Sequence, residues 1–534
     1  MPRYMISAPQ PEAVESGLET LKGGGNVIDA AISAGLVQTA VDPQMCGIAG
    51  FGSCHIYLAD GTHKIIDFHG RAPLATKSNM WEDLIEGECD DGFGFLLRGQ
   101  VNEIGYQCMT TPMTLKAFDD ILKQFGTISM SEALKPAINY CEEGFAVRPH
   151  VHNFWTTPKV AGRIARIRGM TEDTATAKIY TKPDGSLYNI GDILKNPDMA
   201  NTYRHIAKYG VDDFYDGVLA KKIVDDMQAN GGLIRLEDLK KCQAIETEPL
   251  TITYRGFEIS TNQPPGGGLV IIIMLKILEH FDLKSMGHNS AKYIATVSEA
   301  MKIATVEKDT RMGDPKFFKI PFEVFLSDEY SLQMSEKIKR GEKTFVTRLN
   351  TGADPKETTH ICVADMLGNC VTMTHSLGSS SGVVTDGLGF MYNNCMMVFD
   401  PRPGRSGSLE PGKARFTALS PTIVFKNSKP LLLVGSPGGT TITMGNLQAI
   451  LNVLDFDMNA QEAVSAPRFT TTSNTIELTN RILRSTEAEL QKNGYATKRH
   501  PYSYMMPTLQ TIRLTNGKLD GGADPSGDGM AVGF

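Results

Sequence analysis

Near two-thirds of its length the chain changes character in a way that fixes much of what it can fold into. Residues 340–357 are polar and mixed, with Arg340-Gly341-Glu342-Lys343 followed by Asn350-Thr351-Gly352-Ala353-Asp354-Pro355. That is the composition of a loop or linker. Directly after it, Thr358-Thr359-His360 opens two strand-forming runs, 358–364 and 370–376, separated by Asp365-Met366-Leu367-Gly368-Asn369. This pattern predicts a β-hairpin that begins where an exposed linker ends. An exposed linker is also where a chain is most readily cut. If the cut falls before Thr358, the freed α-amine sits beside the threonine hydroxyl and can act as its base. Thr358 is therefore a candidate nucleophile.

The rest of the chain supports an α+β protein with a large core. Of 534 residues, 41% are apolar and 21% charged, which places the chain among ordinary globular proteins. Apolar spacing over 9–24 predicts a helix ended by Gly23-Gly24-Gly25. A second helix over 27–41 is rich in Ala and Gly, which lets a neighbour pack closely, and Asp42-Pro43 stops it. Strands follow near 55–58 and 64–68, a mainly helical middle spans 110–245, and strands return at 250–253 and 257–260. An apolar helix is expected from 269 to about 281. A further hairpin, 422–425 with 431–434, runs into Gly435-Ser436-Pro437-Gly438-Gly439 and then a helix over 440–454.

Several function classes are disfavoured. Net charge is −7 and the basic residues are scattered, which argues against a nucleic-acid or anionic-membrane partner. No run of about 18 apolar residues marks a spanning helix. The N-terminus lacks the charged and apolar segments of a signal peptide, so a cytoplasmic location is expected. Nine cysteines with no C-x-x-C pair read as reduced, mostly buried thiols. The histidines lack metal-ligand spacing, so neither a metal nor another cofactor is expected. Gly23-Gly24-Gly25 closes a helix, whereas a phosphate loop opens one.

Gly438 and Gly439 lie between a strand and a helix. Glycines there can present backbone N–H groups to a developing oxyanion. Together with Thr358-Thr359-His360…Asp365…Gly368-Asn369 and Ser420-Pro421-Thr422-Ile423-Val424, they describe something specific. The chain resembles the γ-glutamyltransferases (γ-glutamyltranspeptidases), N-terminal-nucleophile (Ntn) hydrolases made as self-cleaving precursors. The likeness also runs through Gly24-Gly25-Asn26-Val27-Ile28-Asp29-Ala30-Ala31, Phe214-Tyr215-Asp216-Gly217 and Ala523-Asp524-Pro525.

The resemblance implies a four-layer αββα sandwich, a single intertwined unit formed by two subunits after self-cleavage. It implies a cut between Glu357 and Thr358, giving a large segment 1–357 and a small segment 358–534 that stay associated; a higher homo-oligomer is left open. Thr358 would be nucleophile in both self-cleavage and catalysis, on a small-molecule amide. Ser376 would hydrogen-bond it, and Gly438 and Gly439 would form the oxyanion hole.

The walls that should recognise glutamate depart from the family pattern. His69 stands at the carboxylate-gripping arginine position, with Arg71 two residues on as a candidate substitute. Of two adjacent hydroxyl residues expected before Ser420, Thr417 remains and Ala418 replaces the other. The strand Tyr392-Asn393-Asn394 matches and makes Asn393 a candidate substrate contact, but Val398 stands at the acid position, Cys395 at the amide position and Gly378 at the asparagine position, so all three ammonium ligands are missing from their expected places. Asp386 or Asp400 could replace the missing acid, and Arg402, Arg405 and Arg415 could attract an anionic substrate. A buried ammonium without an acid is costly, so the pocket is expected to favour acyl groups lacking the α-amine.

The leading expectation is thus a self-processing γ-glutamyltransferase-like amidohydrolase whose acyl group passes to water or an amine. A true γ-glutamyltransferase or glutathione hydrolase with rearranged ligands is the enzyme alternative. A non-catalytic scaffold or binding relative is the alternative of another class.

Overall fold

The computed structural model describes residues 2–89, 94–158, 162–347, 358–504, 507–515 and 517–534. In chain order, the elements that build the centre are β1 (Tyr4–Ala8), α1 (Pro11–Lys22), α2 (Val27–Val41), β2 (Phe51–Tyr57), β3 (His63–Phe68), β4 (Ile245–Thr247), β5 (Leu250–Tyr254) and β6 (Phe257–Thr261). They continue with α3 (Gly268–Leu278), β7 (Thr359–Asp365), β8 (Cys370–Ser376), β9 (Thr422–Lys426), β10 (Lys429–Gly435), α4 (Ile442–Leu454), β11 (Gln510–Thr515), β12 (Lys518–Ala523) and β13 (Met530–Gly533). The seven-stranded sheet runs β13-β1-β7-β8-β2-β3-β4, and the six-stranded sheet runs β12-β11-β10-β9-β6-β5. Each neighbouring pair that meets Thr358's hairpin is antiparallel: β1 with β7, β7 with β8, β8 with β2.

Side chains alternate across a strand, and β7 uses both faces. Cys362 and Ala364 join Ile423, Phe425, Leu433 and Ile512 of the other sheet in one cluster, so the two sheets face each other. Ile361 and Val363 instead pack with Ile28, Ala31, Leu36 and Val37 near α2 on the outer face. On the second sheet's outer face, Val424, Leu432 and Val434 pack with the apolar α3 and with Leu447 and Ile450 of α4. Each fully buried Ile, Leu or Val contributes about 1.5–3 kcal/mol relative to exposure.

The helix that backs β7 is specified locally. The Asn26 side chain accepts hydrogen bonds from the N–H groups of Ile28 (2.9 Å) and Asp29 (3.0 Å), while Asp29 accepts from Asn26 N–H (2.8 Å). This capping box satisfies donors that the first helical turn leaves open. Every residue of α2 is buried, and its Ala and Gly positions permit that depth.

The predicted hairpins, the α2 bounds and the helical middle all appear. Helices Thr114–Phe125, Met130–Glu143, Pro197–Tyr209 and Val218–Ala229 supply much of that middle. Cys395–Val398 forms a 3-10 turn. Asn393 Oδ1 accepts from Cys395 N–H (3.0 Å), which curls the backbone there. Among the described residues no helix is long and apolar enough to cross a membrane, and no cluster of three His, Cys, Asp or Glu side chains could hold a metal ion.

Candidate active site

The β7–β8 register places Thr359 opposite His375 and, one step further, Thr358 opposite Ser376. Thr358 Oγ1 donates to Ser376 Oγ at 3.2 Å, and Gly378 N–H donates to the same hydroxyl at 2.9 Å. Thr358 is 5% exposed and Ser376 1%. Ser376 thus holds the Thr358 hydroxyl, and Ser376 is itself oriented by backbone. Glu357 and residues 348–356 of the expected linker lie outside the described residues.

Gly438 and Gly439 arrive at the same end of the facing sheets. His360, two residues past Thr358, packs so closely on Gly435 that a Cβ there would lie 2.0 Å from His360 Cε1. Three residues beyond Gly435 the chain turns through Gly438 (φ 154°) and Gly439 (φ 53°) into a 3-10 turn and α4. Both conformations favour glycine. A Cβ on Gly438 would also lie 2.6 Å from Pro507 Cβ. No backbone hydrogen bond among the described residues uses the N–H of Gly438 or Gly439. Successive donors in such a turn suit a tetrahedral oxyanion.

The adjoining wall is apolar. Phe51, which pairs with Ser376, clusters with Cys395, Leu419 and Ile442, and Ala418 packs against them. The Arg415 guanidinium lies 4.9 Å from the centre of the Phe51 ring. Burial pushes the Cys395 thiol up to about 12, against the opposing pull of Arg415. That thiol is therefore a neutral part of the wall and supplies no anion for an ammonium. Gly378 has φ 76°, and a Cβ there would lie 2.6 Å from Asn394 Oδ1. Asn394 Oδ1 is held by Ser379 N–H, so a neighbouring side chain fills the space an asparagine at 378 would need.

Several expected ligands are committed elsewhere. Asn393 is fully buried; its oxygen accepts from Thr110 N–H, Thr110 Oγ and Cys395 N–H, and its amide donates to Ala49 and Thr110 carbonyls. That pattern uses its hydrogen-bonding capacity, so Asn393 joins three chain segments and is not a substrate ligand. Arg71 Nη1 lies 3.3 Å from Asp314 Oδ2 and 3.4 Å from the Gly412 carbonyl. This guanidinium braces the loop ahead of Thr417, which corrects its placement as the carboxylate grip.

His69 does what its position suggested only indirectly. Its Nε2 is 2.6 Å from Thr417 Oγ1, and its Nδ1 is bound to Asp67. Burial alone would raise the Asp67 pKa, but the His69 charge and hydrogen bonds, helped by Arg71, hold it below its usual value. Thr417 is thereby fixed at the wall. Val398 closes the 3-10 turn and is half-buried. The proposed acid substitutes are not available: Asp400 binds Arg402 at 2.9 Å, and Asp386 is exposed beside Lys178. Arg402 and Arg405 both face Asp400, leaving Arg415 as the buried arginine of the three.

Sequence reasoning missed the groups behind Thr358. Gln38 of α2 bonds to Gln10, Thr359 and His375. A glutamine inside an otherwise apolar or small-residue helix was the available signal.

Comparison with known proteins places the chain among relatives. The gamma-glutamyltranspeptidase family model matches residues 13–534. The acylase ACY 1 proenzyme of Pseudomonas sp. (strain SE83) is 35% identical over 504 residues, covering 93% of this chain and 88% of that protein. The glutathione hydrolase proenzyme of Bacillus subtilis (strain 168) is 30% identical, covering 99% and 91%. Among solved structures, the cephalosporin acylase from Bacillus halodurans superposes with a TM-score of 0.87 at 27% identity, covering 100% of this chain and 96% of that one.

Proposed function

The chain belongs to the gamma-glutamyltranspeptidase family, and on that premise we propose that it is a self-processing Ntn amidohydrolase with Thr358 as nucleophile. The two facing sheets with helices on their outer faces would be the four-layer αββα sandwich of that class, and segments 1–357 and 358–534 its two associated subunits. The relatives named acylase and glutathione hydrolase are both described as proenzymes, which is in keeping with a precursor that cleaves itself.

The observation that carries the proposal is the Thr358–Ser376 hydrogen bond of 3.2 Å at the start of β7. In processing, Thr358 Oγ attacks the Glu357 carbonyl and the peptide nitrogen leaves with the proton, giving an ester. That shift frees the α-amine of Thr358, and water then cleaves the ester, releasing the Glu357 carboxylate and the Thr358 hydroxyl. In turnover the amine takes the hydroxyl proton as Oγ attacks a substrate amide. The N–H groups of Gly438 and Gly439 stabilise the oxyanion, and the amine product departs protonated. Water or a second amine then releases the acyl group from Thr358.

The substrate reading rests on the wall. With Gly378, Cys395 and Val398 in place of ammonium ligands, an acyl group without an α-ammonium fits better than γ-glutamate. Thr417, held by His69, and Arg415 remain as polar contacts for the acyl chain. A cytoplasmic location completes the proposal.

A denaturing gel tests it. Two bands of about 357 and 177 residues are expected, from cutting 534 residues before Thr358. Thr358→Ala should leave one full-length band and lower turnover by about four orders of magnitude or more. A cleaved or active Thr358→Ala protein would sink the assignment.

A further inference from the structure

Behind the nucleophile lies a buried polar network that the mechanism above does not use. Side chains alternate along β7 and β8, so Thr358 and Ser376 face the site while Thr359 and His375 face α2. Gln38 projects from α2 between them. Its Nε2 donates to Thr359 Oγ1 (2.8 Å) and Gln10 Oε1 (2.6 Å), and its Oε1 accepts from His375 Nε2 (2.8 Å). Thr359 Oγ1 donates to Gln10 Oε1 at 3.1 Å, and Gln10 Nε2 donates to Asp42 Oδ2 at 2.7 Å. Gln10, Gln38, Asp42, Thr359 and His375 are all 1% exposed or less.

Every donor in this chain has a defined direction. Gln38 Oε1 can only accept, so His375 carries its proton on Nε2. Among the described residues His375 Nδ1 has no hydrogen-bond partner, and its ring meets Phe118 edge-on. The imidazole is thus fixed by a single polar contact, the one to Gln38. The Gln38 amide touches both strands of the hairpin at the residues adjoining Thr358 and Ser376.

We infer that Gln38, supported by Gln10, is a positioning residue for the nucleophile: it clips β7 to β8 from behind and so sets the Thr358–Ser376 distance. An apolar residue of similar size would satisfy packing on a helix buried all round. A glutamine there costs free energy unless every polar atom is bonded, and these atoms are bonded to the two residues flanking the reacting pair. The inference rests on the proposed role of Thr358.

The test is Gln38→Met, which keeps the length and apolar bulk of the side chain but removes the amide. A folded, thermally stable Gln38→Met protein is expected to process slowly. Once processed, its kcat should fall about tenfold to a hundredfold with KM within about twofold, the signature of a misplaced reacting group. Gln38→Glu, which keeps the acceptor for His375, is expected to recover part of the kcat. Folded Gln38→Met with normal processing and kcat overturns the inference. If Gln38→Met does not fold, Thr359→Val is read in the same way. Failure of both to fold would assign the network to stability alone and likewise overturn it. Thr358→Ala is run in parallel. If that variant still processes, the family mechanism fails; if it is inert while folded Gln38→Met is normal, only the positioning role fails.

Discussion

The end of the candidate site that holds Thr358 and the wall beside it are built by different means. Thr358 and Ser376 are placed by strand register, and Gly438 and Gly439 by the turn from β10 into α4. Hydrogen bonds from Gly378 and from the Gln10–Gln38–Thr359 network brace that end from two sides. Much of the wall comes from loops and a 3-10 turn: Cys395 and Val398 lie on that turn, Thr417 is held by His69, and Arg415 lies over Phe51. Regular secondary structure fixes chemistry by register, so one changed residue breaks it. A wall of loop side chains can exchange residues while the fold stands, which allows the acyl preference to change without disturbing the nucleophile.

The sharpest way to break this contrast is at Gly438. Gly438→Ala forces a Cβ toward Pro507 at 2.6 Å and a side chain onto a φ of 154°. The turn must shift, and its N–H groups with it. Loss of one oxyanion donor costs about 2.7–4 kcal/mol. Single-turnover acylation is therefore expected to slow about a hundredfold to a thousandfold, while binding of a substrate analogue changes little. A Gly438→Ala enzyme with normal acylation would mean that the oxyanion is held elsewhere.

The same division explains what could be seen in the sequence. The hairpins at Thr358 and Thr422 are runs of strand-forming residues with turn residues between their strands, and they adjoin helices with clear stops, so local pattern was enough. Ser376 was expected only from the resemblance to the family, and Gly438-Gly439 from that resemblance together with their place between a strand and a helix. Arg71 and Asn393 looked like ligands because residue type and order matched. Their partners Asp314, Thr110 and Ala49 lie far away in the chain, and only folding shows that the side chains are spent. Gln38 was hidden for the opposite reason. Helical patterning treats an occasional polar residue in a mostly apolar helix as noise, and the partners of Gln38 lie on β7, on β8 and just ahead of α1.

Acid probes the reacting end next. Burial lowers the pKa of His360 and of His375 to about 3, so both are neutral in the folded chain. In the unfolded chain they protonate near pH 6.5. The unfolded state then binds more protons at every pH between about 6.5 and 3, so stability is full above that window and falls as pH drops through it. Each histidine contributes about 1.4 kcal/mol of loss per pH unit. Denaturant melts at pH 7 and pH 5 should show a clear drop, and His375→Phe, which cannot protonate, should make it shallower. An unchanged pH slope in His375→Phe would show that this ring titrates normally.

The smallest effect is expected at the wall. Val398 is half-buried at the end of the 3-10 turn, where a specific γ-glutamyl site would place an acid. Val398→Asp supplies that charge, whereas Gly378→Asn is blocked by Asn394 and is the poorer choice. One charge-assisted bond to a substrate ammonium contributes about 1.5–3 kcal/mol, part of which is offset by desolvating the new carboxylate. The ratio of kcat/KM for a γ-glutamyl anilide over a simple acyl anilide should rise about tenfold, with processing and fold unchanged. A rise confirms that specificity is set by exchangeable wall residues. A flat ratio would move the acyl group away from Val398 and toward Thr417 and Arg415, where Thr417→Val would then have to change the ratio instead.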